Sequence, residues 1–267
     1  MTNNRIFLFD MDGTLTREHH PFEWTLESSL KDLMNYGEIG ILTGSDMEGV
    51  QKKMGKFLDY SAIRYHLHVL PCNGTQWYAP PPYHDRSLVK KYGISMEDFI
   101  GHNNFQKLMK LIVDFQSIST DDENIRLKGS FINNRGPMIN WCPIGRSSNT
   151  EDRIKFQEYD KRVGFRKNLI STFRKSIMLS DFRKQIEVRY GGETSLDIFP
   201  KGWDKTFALN HFPDHQVWFV GDKCEVDGND KEIYDSCGER GYKTTGPQAT
   251  VDIIYDIISR IEKEAGS

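Results

Sequence analysis

The chain has 267 residues, 37% of them hydrophobic and 27% charged, proportions that support a packed core and argue against wholesale disorder. Lys and Arg (35) nearly balance Asp and Glu (38), so a net charge of −3 offers no global attraction to nucleic acid or to an acidic membrane. No apolar stretch approaches the roughly 18 residues that span a bilayer, and the start runs into a strand-like segment without a signal-peptide core. Together with four scattered cysteines (Cys72, Cys142, Cys224, Cys237) and no CxxC pair, this predicts a cytoplasmic protein with reduced thiols.

Taken in chain order, Arg5 to Asp10 (RIFLFD) is an apolar run ending in a carboxylate, the pattern of a buried parallel strand. Thr25 is placed to cap a helix with Leu26, Leu30, Leu33 and Met34 on one face, closed by Gly37. Glu38 to Thr43 reads as a strand; Ser45 to Glu48 has the spacing of a capping box, and Met47, Val50, Met54 and Leu58 share one side of the helix that follows. Tyr65 to Leu70 alternates like a strand. That outweighs the zinc reading invited by His66, His68 and Cys72, which lack a second ligand cluster. The middle of the chain changes character. Phe105, Leu108, Ile112 and Phe115 mark a helix, and 127–132 and 137–141 read as paired strands. Two helices follow, from about Thr150 and around Phe165, Leu169 and Phe173, and then strands over 184–190 and 195–199 joined by Gly191-Gly192. Gln216 to Gly221 resumes the strand grammar, and Val251, Ile254, Ile258 and Ile261 line a last helix. Strand–helix alternation at both ends around a mixed middle predicts an α/β domain of residues 1–81 and 201–267 with an α+β insert at 82–200. Ala79 to Pro82 would be a stiff entry to the insert, and Pro200 to Gly202 the exit.

Chemistry concentrates at Asp10-Met11-Asp12-Gly13-Thr14-Leu15-Thr16, where the first strand ends and where open α/β sheets place their ligands. Two carboxylates this close repel unless a cation joins them; Mg²⁺ removes that cost and also binds phosphate oxygens. One carboxylate can then attack phosphorus while the other moves the proton of a hydroxyl. Gly13 lets the chain pass close to a phosphate, and the Thr14 hydroxyl can donate to it. Thr43-Gly44-Ser45 ends the second strand with hydroxyls and helix amides where a phosphate can sit, although Ser45 is explained equally well as a helix cap. Lys205 can neutralise phosphoryl oxygens. Asp222 follows the late strand as a metal ligand, with Asp230 as a second ligand or an outer-shell partner.

DMDGTLT, TGSD, the lysine and GDKxxxxGND, in that order, resemble the haloacid dehalogenase superfamily of phosphotransferases. The insert narrows this. Asn134 to Asn140 (NRGPMIN), Pro143 to Ser147 (PIGRS), Glu151 to Ile154, Gly191-Gly192, Ser195 to Pro200 (SLDIFP) and Gly202 to Lys205 are similar to the cap of eukaryotic-type phosphomannomutases. Pro71-Cys72-Asn73-Gly74 also matches a stretch of that family. The resemblance implies a haloacid dehalogenase-like core with an inserted cap, a Mg²⁺ cofactor, a hexose 1,6-bisphosphate activator and a homodimer formed through the caps. It implies Asp10 as nucleophile and metal ligand, Asp12 as general acid/base binding the metal through its carbonyl, and Asp222 as the third protein ligand. Arg135, Arg146 and Arg153 would hold the phosphate not being transferred, with Ser195 and Asp197 on nearby phosphate or sugar oxygens; guanidiniums suit such bidentate grips.

The sequence departs from the family at three places. The core-side arginine after DGTLT is matched by His19, with Arg17 two residues earlier; GGND reads Asp227-Gly228-Asn229-Asp230; and the second-cation loop reads Tyr234 to Glu239, with its carboxylate displaced to Asp235 or Glu239. The expected activity is exchange of a phosphoryl group between O1 and O6 of mannose, feeding GDP-mannose synthesis. A sugar-phosphate phosphatase of the same superfamily needs the same core, and a hexose-phosphate sensor would need no nucleophile.

Overall fold

The first strand, β1 (Arg5–Phe9), is an unbroken apolar run, buried from Ile6 onward. The computed structural model describes residues 4–17, 20–119, 125–178, 180, 182 and 184–266. Next comes α1 (Glu27–Leu33), lengthened at both ends by 3₁₀ turns over Trp24–Leu26 and Met34–Tyr36. Leu26, Leu30 and Leu33 are buried as their spacing predicts, but Thr25 lies inside the first of these turns and no side chain caps the helix. β2 (Glu38–Leu42) leads to α2 (Met47–Tyr60), whose cap is Asp46, one residue later than the box spacing predicts; its carboxylate accepts from the Gly49 amide at 2.9 Å. Ser45 is therefore not the cap. β3 (Leu67–Leu70) is buried throughout, and β4 (Gln76–Ala79) and β5 (Val89–Gly93) follow.

The insert contains α3 (Met96–Ile100), α4 (His102–Ser119), β6 (Ile132–Asn134), β7 (Ile139–Trp141), α5 (Thr150–Val163), α6 (Phe165–Met178), β8 (Ile186–Gly191) and β9 (Ser195–Pro200). β10 (Gln216–Gly221), α7 (Lys231–Cys237), β11 (Gly241–Lys243) and α8 (Pro247–Gly266) complete the chain. Two compact units result, residues 1–93 with 203–267, and residues 94–202. Residues 82–93, assigned to the insert from the triproline, group with the first unit because β5 pairs with β4.

In the first unit a seven-stranded sheet runs β11-β10-β1-β2-β3-β4-β5, parallel from β11 to β3 and antiparallel beyond. Successive residues of β1 serve two cores. Phe7 and Phe9 join Ile39, Ile41 and Val69 with Leu30, Met54 and Ile257 from the helices, while Ile6 and Leu8 join Leu42, Leu70, Phe219 and Ile233. A sheet covered on both faces is why its central strands read as continuous apolar runs. It also explains His68: its two ring nitrogens are engaged, Nε2 with Glu38 at 3.0 Å and Nδ1 accepting from Trp77 at 2.9 Å, so it is a satisfied core histidine.

In the second unit a four-stranded antiparallel sheet runs β6-β7-β9-β8. Phe173 of α6 packs on Trp141 and Phe115 at ring separations of 5.5 and 5.1 Å. β6 begins five residues later than its apolar pattern predicts, because Gly129 and Ser130 adopt positive φ (83° and 55°) and interrupt the extended chain. Among the described residues no helix is long and apolar enough to cross a membrane.

Candidate active site

Asp10 follows β1 and Asp222 follows β10, neighbouring parallel strands in register, so both carboxylates emerge at the same end of the sheet. The Asp10 amide donates to Val220 O at 2.9 Å. The chain then turns back on itself: the Leu15 and Thr16 amides both donate to Met11 O, and the Gly13 amide to Thr16 O at 2.8 Å. Gly13 has φ +80°, and a β-carbon there would lie 2.3 Å from Asp222 Oδ2, so only glycine lets this turn lie against the second carboxylate. Thr14 Oγ is buried without a hydrogen-bond partner.

Asp230 precedes α7 and is fully buried; its Oδ2 accepts from the Lys223 amide at 3.0 Å. Asp10, Asp222 and Asp230 each place a carboxylate oxygen within 4.8 Å of the others. Lys205, 1% exposed, reaches between two of them and donates to Asp10 Oδ1 and to Asp230 Oδ1, the latter at 2.5 Å. Burial is the largest influence on the Asp10 carboxyl; Lys205 opposes it and repulsion from Asp230 and Asp222 adds to it, and together they leave the group raised to about 8. Despite burial, the attraction of Asp10 and Asp230 holds Lys205 firmly in its ammonium form. Three carboxyl groups outnumber the one ammonium, and hard oxygen donors so arranged suit a divalent cation.

The surrounding turns are tied to this centre by Pro71-Cys72-Asn73-Gly74. Cys72 and Asn73 adopt positive φ (50° and 62°), which aims the Cys72 amide at Ser45 O and the Asn73 amide at Thr43 O, both at 2.9 Å. Asn73 Nδ2 donates to Trp203 O at 3.2 Å, two residues before Lys205. Thr43 is buried, and its hydroxyl accepts from the Ser45 amide at 3.1 Å. A groove of about 570 Å³ borders the centre, lined by Gly13, Asp222, Lys243 and the start of α8, with Arg17 and Glu23 at its edge. Arg17 is exposed and paired with Glu23 at 2.7 Å. His19 lies outside the described residues.

In the second unit, β7 and β9 pair Asn140 with Asp197. Asn140 donates to Asp197 Oδ1 at 2.7 Å and accepts from Arg146 Nη1 at 2.8 Å. Burial raises the Asp197 pKa, opposed first by Arg135 and then by Asn140 and Arg146. Arg135, just after β6, donates its amide to Met138 O at 2.9 Å. Arg153 spends its guanidinium inside the protein, donating to Ser148 O at 3.1 Å and to Thr194 Oγ and Arg146 O at 2.8 Å each. Ser195 is buried at the start of β9, where Arg166 holds its carbonyl at 3.3 Å and that of Gly192 at 2.8 Å, braced by Asp160 at 2.7 Å.

The profile of the eukaryotic phosphomannomutase family matches residues 26–260. The chain belongs to that family. It is an enzyme of the phosphomannomutase type, an isomerase. It is 32% identical over 249 residues to a phosphomannomutase of Dendrobium officinale (92% of this chain, 91% of that one). It is 30% identical over 259 residues to phosphomannomutase 1 of Dictyostelium discoideum (95% and 96%). IMP-bound IMP-nucleotidase of Plasmodium falciparum, N-terminally truncated, superposes with a TM-score of 0.67 at 16% identity, over 95% of this chain and 68% of that one, and shares the haloacid dehalogenase fold.

Set against phosphomannomutase expectations, the fold brings Asp10, Asp222, Asp230 and Lys205 together, and it groups Arg135, Arg146 and Asp197 in the second unit. The Asp12 side chain stands outside the acidic cluster and pairs with Lys53. The second-cation loop spends its carboxylates elsewhere, Asp235 on Lys231 and Glu239 on Arg260. Sequence patterning alone does not single out Lys53, Asn140 or Arg166. Asn140 carries the clearest signal, a polar residue amid Met138, Ile139 and Trp141 in a buried strand.

Proposed function

We propose that this phosphomannomutase interconverts mannose 1-phosphate and mannose 6-phosphate through an aspartyl-phosphate on Asp10 and a hexose 1,6-bisphosphate intermediate, supplying GDP-mannose synthesis. The observation that carries the reading is Lys205, a buried ammonium spanning Asp10 and Asp230 beside Asp222. A carboxylate that must approach a phosphoryl group needs countercharge already in place, and this arrangement supports that role. Asp10, Asp222 and the Asp12 carbonyl would hold Mg²⁺, with Asp230 as ligand or outer-shell partner, and the ion neutralises phosphoryl oxygens when bound.

In the first half-reaction the sugar hydroxyl forms an O–P bond as the Asp10 O–P bond breaks, and the hydroxyl proton passes to Asp12. The bisphosphate then returns its other phosphoryl group to Asp10, and Asp12 gives the proton to the departing sugar oxygen. Thr43, Ser45 and one of Arg17 or His19 are assigned the transferred group and the sugar beside it. In the second unit Arg135 and Arg146 are assigned the phosphate that stays, with Ser195 and Asp197 on nearby phosphate or sugar oxygens; Arg153, whose guanidinium is taken by Ser148, Thr194 and the Arg146 carbonyl, supports Arg146 instead of reaching the phosphate. The family resemblance supports a homodimer through this unit, which sedimentation of the intact chain tests; a monomer mass refutes it. The four free, buried cysteines support a cytosolic setting.

Phosphorus NMR of one sample tests the activity. Mannose 1-phosphate with Mg²⁺ alone should react little, because Asp10 starts unphosphorylated. A trace of glucose 1,6-bisphosphate should start conversion to mannose 6-phosphate, and chelation should stop it. Inorganic phosphate growing as fast as substrate disappears would establish a phosphatase instead. Bound sugar phosphate with no turnover under any condition would establish a sensor.

A further inference from the structure

Asp12 has a cation of its own. Lys53 Nζ donates to Asp12 Oδ1, and the Thr16 hydroxyl lies 3.4 Å from the same oxygen. Among the described residues no group hydrogen-bonds to or pairs with Oδ2. Lys53 belongs to α2, a helix fixed by its Asp46 cap and by Val50, Met54 and Phe57 in the core. The Lys53 carbonyl accepts from the Phe22 amide at 3.1 Å, so its backbone is held from a second direction. Only 21% of its side chain is exposed, unlike a lysine that spends its charge in water. The acidic cluster does not need this lysine, because Lys205 serves Asp10 and Asp230, and the Asp12 carboxylate lies outside the cluster.

We propose that Lys53 is a positioning residue for proton transfer: it anchors Asp12 through Oδ1 and leaves Oδ2 to exchange a proton with the sugar hydroxyl. A carboxylate on a turn samples several rotamers, and a proton carrier must lie within hydrogen-bond reach of its target oxygen. Anchoring one oxygen from a rigid helix removes that freedom while the other stays available. Two lysines then divide the charge, Lys205 beside the nucleophile and Lys53 beside the proton carrier. The inference rests on reading Asp12 as the acid/base.

The test compares two donors to Asp10. When a sugar bisphosphate phosphorylates Asp10, the departing sugar oxygen must gain a proton. When acetyl phosphate does so, the O–P bond breaks to release acetate, which leaves as an anion and needs none. Lys53→Met should lower kcat for the sugar reaction roughly tenfold or more, part of the ~10²–10⁴ that acid–base catalysis contributes, with KM nearly unchanged. Labelling of Asp10 by acetyl phosphate should change less than about twofold, which also reports an intact fold, and Lys53→Arg should recover most of the loss. In an Asp12→Asn background, Lys53→Met should have no further effect, because the two act as one unit. Equal losses with both donors, or an undiminished loss in the Asp12→Asn background, would make Lys53 a structural brace and overturn the proposal. A severe Asp12→Asn defect with a harmless Lys53→Met would reject Lys53 alone. A harmless Asp12→Asn would reject the acid/base reading, and this proposal with it.

Discussion

Replacing Lys205 by Met keeps most of the side-chain volume and removes only the ammonium. In the native site that ammonium is 1% exposed and faces two carboxylates that are themselves 5% and 0% exposed. Removing one partner of a buried pair costs about 3–5 kcal/mol, because the remaining charge has neither water nor a counter-ion. At roughly 2–4 °C per kcal/mol for a domain of this size, the transition containing the first unit should fall by about 6–20 °C in metal-free buffer. Two further measurements assign the cause. Saturating Mg²⁺ should recover more of the loss in Lys205→Met than it adds to the native chain, since the ion replaces the missing charge. Lys205→Met/Asp230→Asn should be more stable than Lys205→Met alone, because the double change withdraws a carboxylate as well. Calorimetry of the native chain, Lys205→Met, Asp230→Asn and the double variant, with and without chelator, supplies every comparison. A Lys205→Met midpoint within 2 °C or so of native, or destabilisations that simply add, would refute the electrostatic account of this lysine.

Proton and metal compete for Asp10, so the apparent Mg²⁺ affinity should rise about tenfold per pH unit and level off near 8; titration calorimetry giving a flat affinity from pH 6 to 8 contradicts this. The sign for stability follows from the same shift. A carboxyl raised in the folded state contributes stability at acid pH that is lost as pH rises towards 8 in metal-free buffer, and added Mg²⁺ should flatten that slope. Gly13→Ala forces a β-carbon against Asp222 at positive φ and should cost more than about 1 kcal/mol while weakening Mg²⁺; unchanged metal affinity would argue against the close approach. Arg135→Ala and Arg146→Ala should each lower kcat/KM for sugar phosphates roughly ten- to a hundredfold but spare Asp10 labelling by acetyl phosphate, whereas equal losses on both would point to a structural role.

Sequence reading succeeds where the relevant physics is local. β1, β2 and β10 are apolar runs that cannot be satisfied anywhere but inside a sheet covered on both faces, and they form where their patterns end. The edge strands are different. β5 is Val-Lys-Lys-Tyr-Gly, largely exposed, and β11 has three residues; each exists because a neighbour offers a ladder, which composition does not record. The triproline reads as a domain boundary for the same reason, since the chain beyond it still adds a strand to the first sheet. Cap positions also slip by small amounts. Asp46 and Ser45 are both competent caps, and only the path of the chain from Thr43, fixed by Asn73 and Cys72, selects between them.

The acidic centre is legible because its members sit at strand ends, in motifs whose spacing fixes their direction. Lys205 is legible only through family resemblance, since nothing within its own segment says that it will be buried between Asp10 and Asp230. Lys53 escapes for a related reason. On a helical wheel it lies between the core positions Val50, Met54 and Phe57 and the exposed flank of α2, where a lysine ordinarily reaches for solvent. What draws it inward is Asp12, forty-one residues earlier, held in place by a turn that closes through Met11, Gly13 and Thr16. Local patterning thus determines where a carboxylate is presented, and tertiary pairing determines which cation attends it. The three carboxylates of the acidic centre and Asp12 share one end of one sheet and differ in the cations that attend them: Lys205 for Asp10 and Asp230, and Lys53 for Asp12.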